Sequence, residues 1–125
     1  MRQKIAFVTG ATRGIGGEIA KFFCNSGSKV FGTRTSKDSI ENQYCSDWIT
    51  SDFKNIEEIY HCHDMVKKIK PDVLINCAGI NKIGPFVDID PDEFLLIQQI
   101  MILSILHKKL SMRTKIIMKL KKTKQ

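Results

Sequence analysis

The nine residues Val8-Thr9-Gly10-Ala11-Thr12-Arg13-Gly14-Ile15-Gly16 constrain this chain more than any other stretch. They follow Lys4–Thr9, a short apolar, β-prone run that reads as a buried strand. They lead into Ile15–Ser26, where Ile15, Ile19, Ala20, Phe22 and Phe23 recur at a helical period and Gly27 stops the pattern. The glycines are spaced G-x-x-x-G-x-G. Gly10 permits the sharp turn off the strand. A side chain at Gly14 would keep the backbone from approaching a pyrophosphate, and Gly16 lets the helix pack tightly against the sheet. The N–H groups at the helix start, with the positive end of its dipole, make an anion site. Three glycines alone can be a plain tight turn; their place between a strand and a helix argues for phosphate binding instead.

The same alternation continues downstream. Lys29–Thr33 reads as a second strand and Trp48–Thr50 as a third, weaker one. Between them Ser36–Gln43 is polar and predicts at most a two-turn helix capped by Ser36. Asn55–Lys70 carries Ile56, Ile59, Tyr60, Met65, Val66 and Ile69 at helical spacing, with Pro71 beyond its end. Asp72–Asn76 predicts a fourth strand, closed by Ala78-Gly79. Residues 80–90 read as loop, and Asp90-Pro91-Asp92-Glu93 as a helix start with proline at N1 and acids in the first turn. Strands alternating with helices mean βαβ units. The expected class is α/β: a Rossmann-like parallel sheet with flanking helices, incomplete at about four strands. At 125 residues the chain is one domain's worth.

The formal charge of +7 is unevenly placed. Eight of the 20 Lys and Arg lie in residues 100–125, which hold no acid, and the rest is nearly neutral. Such a tail can contact nucleic acid or anionic lipid, but an incidental solvated charge run is the favoured reading. Cys24, Cys45, Cys62 and Cys77 are widely spaced without a Cys-x-x-Cys pair, which predicts free thiols in a reducing compartment. His61-Cys62-His63 lacks a second ligand group at zinc spacing, so solvent-facing polar residues are expected there and no metal site. The apolar run of residues 100–106 is far below the roughly 18 residues of a membrane span. The start lacks a secretion signal, so the expected location is cytoplasmic.

At this point the residues resemble a family. Val8–Gly16 is similar to the cofactor loop of short-chain dehydrogenases/reductases. Asp52-Phe53 is similar to the acid–apolar pair that contacts adenine after the third strand, and Ile75-Asn76-Cys77-Ala78-Gly79 to the family's Asn-x-Ala-Gly turn after the fourth. The branch it looks most like is that of the 3-oxoacyl-carrier-protein reductases. The likeness covers about residues 3 to 100, the first half of a typical family domain. It implies a nicotinamide dinucleotide site at Gly10, Ala11, Thr12, Arg13, Gly14, Ile15, Gly16, Arg34, Thr35, Asp52, Phe53, Asn76, Ala78 and Gly79. NAD sites usually place an acid about 20 residues past the loop. Here Gly32-Thr33-Arg34-Thr35-Ser36 offers none before Asp38, while Arg13 and Arg34 could reach a 2′-phosphate. NADP is the expected cofactor.

The resemblance also implies a catalytic Ser, a Tyr followed four residues later by Lys, and an Asn in the fourth helix. Tyr44 is followed at that spacing by Trp48 and Tyr60 by Asp64, and Met101 stands where the Asn belongs. Residues 1–99 therefore read as the N-terminal half of a dinucleotide-binding domain, and 100–125 as a Lys/Ile/Leu-rich tail unlike the family. A frameshift that truncated a longer reductase would account for both. Rival readings are completion by a second chain carrying the Tyr and Lys, a non-catalytic nucleotide-binding module, or a tail that binds membrane or RNA. With no fifth strand, Val73–Ile75 is expected on an open apolar edge, prone to self-association.

Overall fold

The computed structural model describes residues 2–79, 88, 90–92 and 95, and the strand at 115–118. Strand β1 (Ile5–Thr9) leads through the glycine loop into helix α1 (Gly14–Asn25), then β2 (Lys29–Arg34) and β3 (Asp47–Thr50). Helix α2 (Ile56–Ile69), β4 (Val73–Asn76) and β5 (Lys115–Met118) follow. The strands form one sheet in the order β3-β2-β1-β4-β5, and every pairing is parallel. This is the Rossmann-like arrangement the alternation predicts.

Successive residues of the central strands serve opposite faces. Phe7 of β1 and Leu74 of β4 pack with Ile59, Cys62 and Val66 of α2, whereas Val8 and Ile75 pack with Ala20 of α1 and with Ala11, Val30 and Cys45. Both faces of β1 and β4 are thus buried, which is why Ile5–Val8 and Val73–Ile75 are apolar at every position rather than at every second one, with one buried polar residue, Thr9 or Asn76, closing each strand. On α2 the buried stripe is Ile59, Cys62 and Val66, spaced three and four apart. Asn55 caps its start by accepting the Glu57 N–H at 3.0 Å, and Lys70 closes it in the left-handed conformation before Pro71.

The structure departs from the sequence pattern at several places. No helix forms over Ser36–Gln43: the Ser39 N–H donates to the Ser36 carbonyl at 3.1 Å and the Ser39 hydroxyl accepts from the Ser36 N–H at 3.2 Å. Serine side chains that bond the local backbone compete with a helix. Cys62 is not solvent-facing but 1% exposed in the core; of that trio His61 is exposed. Phe22 is 65% exposed, because two residues past Ala20 places it about 200° around α1. The open edge at Val73–Ile75 does not exist. Strand β5 pairs along all of β4, Val73 with Lys115 through Asn76 with Met118. The basic stretch, read as tail, supplies the backbone that satisfies that edge.

The helix start at Asp90 is present, with the Asp92 N–H donating to Asp90 Oδ1 at 2.9 Å. Residues 80–87 and most of the stretch from 96 onward lie outside the described residues, as does Met101. Among the described residues no helix is long and apolar enough to cross a membrane. No group of three His, Cys, Asp or Glu among them could hold a metal ion. The four cysteines are thiols; burial pushes Cys45 and Cys62 up to about 12.

Candidate cofactor site

A cleft of ≈ 270 Å³ lies at the carboxyl ends of β1 to β4 and against the start of α1. That is where the chain leaves β1 for one side of the sheet and β4 lies on the other, the position at which open α/β sheets bind ligands. Of the residues expected to meet a cofactor, Gly10, Thr12, Arg13, Ile15, Gly16, Arg34, Thr35, Asp52, Phe53, Ala78 and Gly79 line it. Residues separated by up to 69 positions in sequence are brought together there. Ala11, Gly14 and Asn76 stand outside that lining, each for its own reason.

Gly14 sits at φ +59, where L side chains are strained, and a Cβ built on it meets nothing within 4 Å. The backbone there is bare on its open side. Arg13, the residue before the helix, is extended and makes no side-chain cap, and the first turn holds no acid. The first N–H groups of α1 therefore have no capping group from this segment, which leaves them available to an anion. Gly10 meets a different constraint. It has φ +62, and a Cβ would fall 2.8 Å from the Ala78 Cα, so the loop touches the turn after β4. Gly16 is needed inside the loop rather than against the sheet: its Cβ would lie 2.0 Å from the Gly10 carbonyl oxygen. Ala11 is fully buried beneath the loop with Val8 and Ala20.

Asn76 is 8% exposed and works behind the wall. Its Oδ1 accepts from the Thr9 hydroxyl at 2.7 Å. The same Thr9 oxygen accepts the Cys77 and Ala78 N–H groups at 3.0 and 3.1 Å. One buried hydroxyl thus ties the end of β1 to the turn after β4. Thr33 does the equivalent on the other side, where its Oγ1 accepts the Gly10 N–H at 2.9 Å and its carbonyl the Ala11 N–H at 3.3 Å. Asn42 holds the loop from above by donating to the Ala11 carbonyl at 2.7 Å.

None of these three was legible as a site residue. Thr9 and Thr33 read as ordinary strand residues, and Asn42 lies 31 positions from its partner in a polar stretch. Thr33, Ser51, Lys54 and Cys77 also line the cleft without having been expected to.

Two charged groups of the cleft are engaged locally. Asp52 Oδ1 accepts the Lys54 N–H at 3.0 Å and its carbonyl the Asn55 N–H at 2.9 Å, so it shapes the turn into α2. Phe53 is 6% exposed, with most of its ring in the core against α2. Arg34 Nε donates to Thr50 Oγ1 at 2.9 Å, and its Nη1 is ion-paired with Glu41. Arg34, expected to meet a 2′-phosphate, already holds a carboxylate.

The model of the short chain dehydrogenase family matches residues 4–122. The chain belongs to that family. Its match extends into the segment that the residues alone set apart from the family, in keeping with β5. Among curated proteins the chain is similar to the 3-oxoacyl-[acyl-carrier-protein] reductase FabG of Haemophilus influenzae, 32% identical over 114 residues. That alignment covers 86% of this chain and 47% of the reductase, so the chain spans about half of its relative's length. Two solved dehydrogenases share the fold at 24% identity. One, from Burkholderia cenocepacia in complex with NADP, has a TM-score of 0.74 and covers 86% of this chain and 49% of its own. The other, from Leptospira borgpetersenii with bound NAD+, has a TM-score of 0.73 and covers 94% and 51%.

Proposed function

We propose that the cleft binds a nicotinamide dinucleotide, NADP(H) in preference to NAD(H). The reaction it serves is the family's: reversible hydride transfer between the nicotinamide and a carbonyl or hydroxyl substrate. The observation that carries this reading is the bare, left-handed Gly14 at a helix start without a side-chain cap. A pyrophosphate fits such a cradle, because the loop's N–H groups meet its oxygens where any side chain would intrude. Arg13 and Arg34 line the same cleft and are assigned to a 2′-phosphate; Asp52 and Phe53, also in its lining, are assigned to the adenine. When bound, the nicotinamide supplies or accepts the hydride. This chain's residues bind and orient it.

Solved relatives of the same fold hold NADP in one case and NAD+ in another. The preference therefore rests on this chain's own residues: two arginines at the cleft, and no acid at the end of β2 before Asp38.

Turnover is a separate matter. Negative charge that builds on a carbonyl oxygen must meet a positioned donor, and a general acid is typically worth about 10²–10⁴-fold. These 125 residues contain no Tyr with Lys four positions on. They are proposed to bind the cofactor without reducing carbonyl substrates unaided.

Isothermal titration tests the reading. NADPH should bind more tightly than NADH, and Arg34→Asp should weaken NADPH by roughly 1.5–3 kcal/mol, the worth of a hydrogen bond to a charged group. That is about ten- to a hundredfold. Equal affinities in the wild type refute the NADP assignment, and no binding of either refutes the site. Saturable NADPH oxidation with acetoacetyl thioesters by the chain alone refutes the claim of inactivity.

A further inference from the structure

The expected role of the Arg34 guanidinium conflicts with its observed partner. Glu41 belongs to the segment between β2 and β3 that failed to become a helix, and its carboxylate reaches back seven residues to Arg34. The arginine side chain is only 17% exposed, the glutamate 50%. Arg34 has five N–H donors. One goes to Thr50 and one to Glu41, which leaves three for anything entering the cleft.

A dinucleotide with a free 2′-hydroxyl brings no charge to this corner. A 2′-phosphate brings about two negative charges, and it meets a guanidinium whose charge a carboxylate already offsets. The two anions then compete for one cation at hydrogen-bonding range. The loop bearing Glu41 is also tied to the phosphate cradle, since Asn42, the next residue, holds the Ala11 carbonyl. The carboxylate is thus kept beside the site.

We infer that Glu41 is a specificity-determining residue, which competes with the ribose 2′-phosphate for Arg34 and so narrows the chain's preference for NADP over NAD. The inference rests on the dinucleotide reading of this same cleft and deepens it: cofactor choice is set by the Arg34–Glu41 pair, and Arg34 alone does not decide it. An acid here differs from one at the end of β2 that bonds the 2′-hydroxyl. It acts on the arginine.

The test uses two nucleotide fragments, 2′,5′-ADP and 5′-ADP, titrated by calorimetry into the wild type, Glu41→Gln and Asp64→Asn. Glutamine keeps the size and polarity of an exposed side chain, and the exposed Asp64 on α2 controls for the loss of one negative charge. Releasing a partly exposed ion pair frees an interaction worth about two- to fivefold. Glu41→Gln should therefore tighten 2′,5′-ADP by that factor, leave 5′-ADP unchanged, and lose its advantage as salt screens the charges. Asp64→Asn should change neither. Unchanged or weaker 2′,5′-ADP binding in Glu41→Gln overturns the inference, because Glu41 would then be orienting Arg34 for the phosphate. Equal tightening of both fragments overturns it as well. If the wild type binds neither fragment, the dinucleotide reading itself fails and this inference goes with it.

Discussion

Replacing Thr9 by valine changes the shape of the chain hardly at all, yet should be among its most damaging single substitutions. Thr9 is 2% exposed. Its hydroxyl makes three hydrogen bonds, donating to Asn76 Oδ1 and accepting the Cys77 and Ala78 N–H groups. Valine fills the same volume, so no cavity term arises and the whole effect is polar. It leaves one carboxamide oxygen and two backbone N–H groups without that partner, at about 1–3 kcal/mol for each group that water cannot reach. Asn76 is 8% exposed, while Cys77 and Ala78 border the cleft and can be partly solvated. One full loss and two partial ones give roughly 3 kcal/mol. A domain of ordinary stability has only about 5–15 kcal/mol to lose. Thr9→Ser keeps the hydroxyl and removes one methyl, and should cost about 1 kcal/mol. Urea denaturation followed by circular dichroism measures both. A valine variant within about 0.5 kcal/mol of wild type, or one more stable than the serine variant, would refute the assignment of Thr9 as the clamp between β1 and the turn after β4.

Gly14→Ala should lose about 1–2 kcal/mol through its left-handed conformation alone and Gly14→Val more, while both abolish dinucleotide binding; unchanged affinity at unchanged circular dichroism would mean that the loop is only a turn. The Arg2 guanidinium, through its hydrogen bonds to the carboxylate, lowers Asp72 from 3.8 to about 2, with help from the Ile5 N–H. A depressed carboxylate stabilises the fold above its unfolded value and loses that contribution as pH falls from about 3.8 toward 2, so Arg2→Ala should move the acid-unfolding midpoint to higher pH; an unmoved midpoint contradicts this. Cys45 and Cys62, buried and pushed up to about 12, should resist thiol reagents in the native protein at pH 8, with Cys24 and Cys77 reacting first and all four reacting in denaturant. Rapid labelling of all four before unfolding would show the two core sites to be open.

Much of this protein was legible in its residues because the signals are local. An apolar strand, a glycine loop and a helical period lie next to one another in Val8–Phe23, and α/β class with four strands in parallel follows from such alternation. The loop, Arg34, the Asp52-Phe53 pair and the Ala78-Gly79 turn were likewise readable, and the cleft is lined by all of them but Ala11 and Gly14 of the loop. What escaped was set by contacts between distant positions. Lys115–Met118 carries two isoleucines between a lysine and a methionine that read as tail, and only its register against β4 makes it a strand. Periodicity marks Phe22 as apolar but cannot say which flank of α1 meets the sheet. The Thr9–Asn76 bond depends on where β1 and β4 stop relative to each other, 67 residues apart, and the Arg34–Glu41 bond on how the loop after β2 folds back over seven residues. Sequence by itself determined the kind of loop and the anion it suits, because backbone conformation and helix ends are local properties. Tertiary structure alone decided that Gly16 answers to the Gly10 carbonyl, that Asn76 holds the wall from behind, and that Arg34 already has an acid for a partner. Those are facts of packing, and side chains pair with whatever the fold sets beside them.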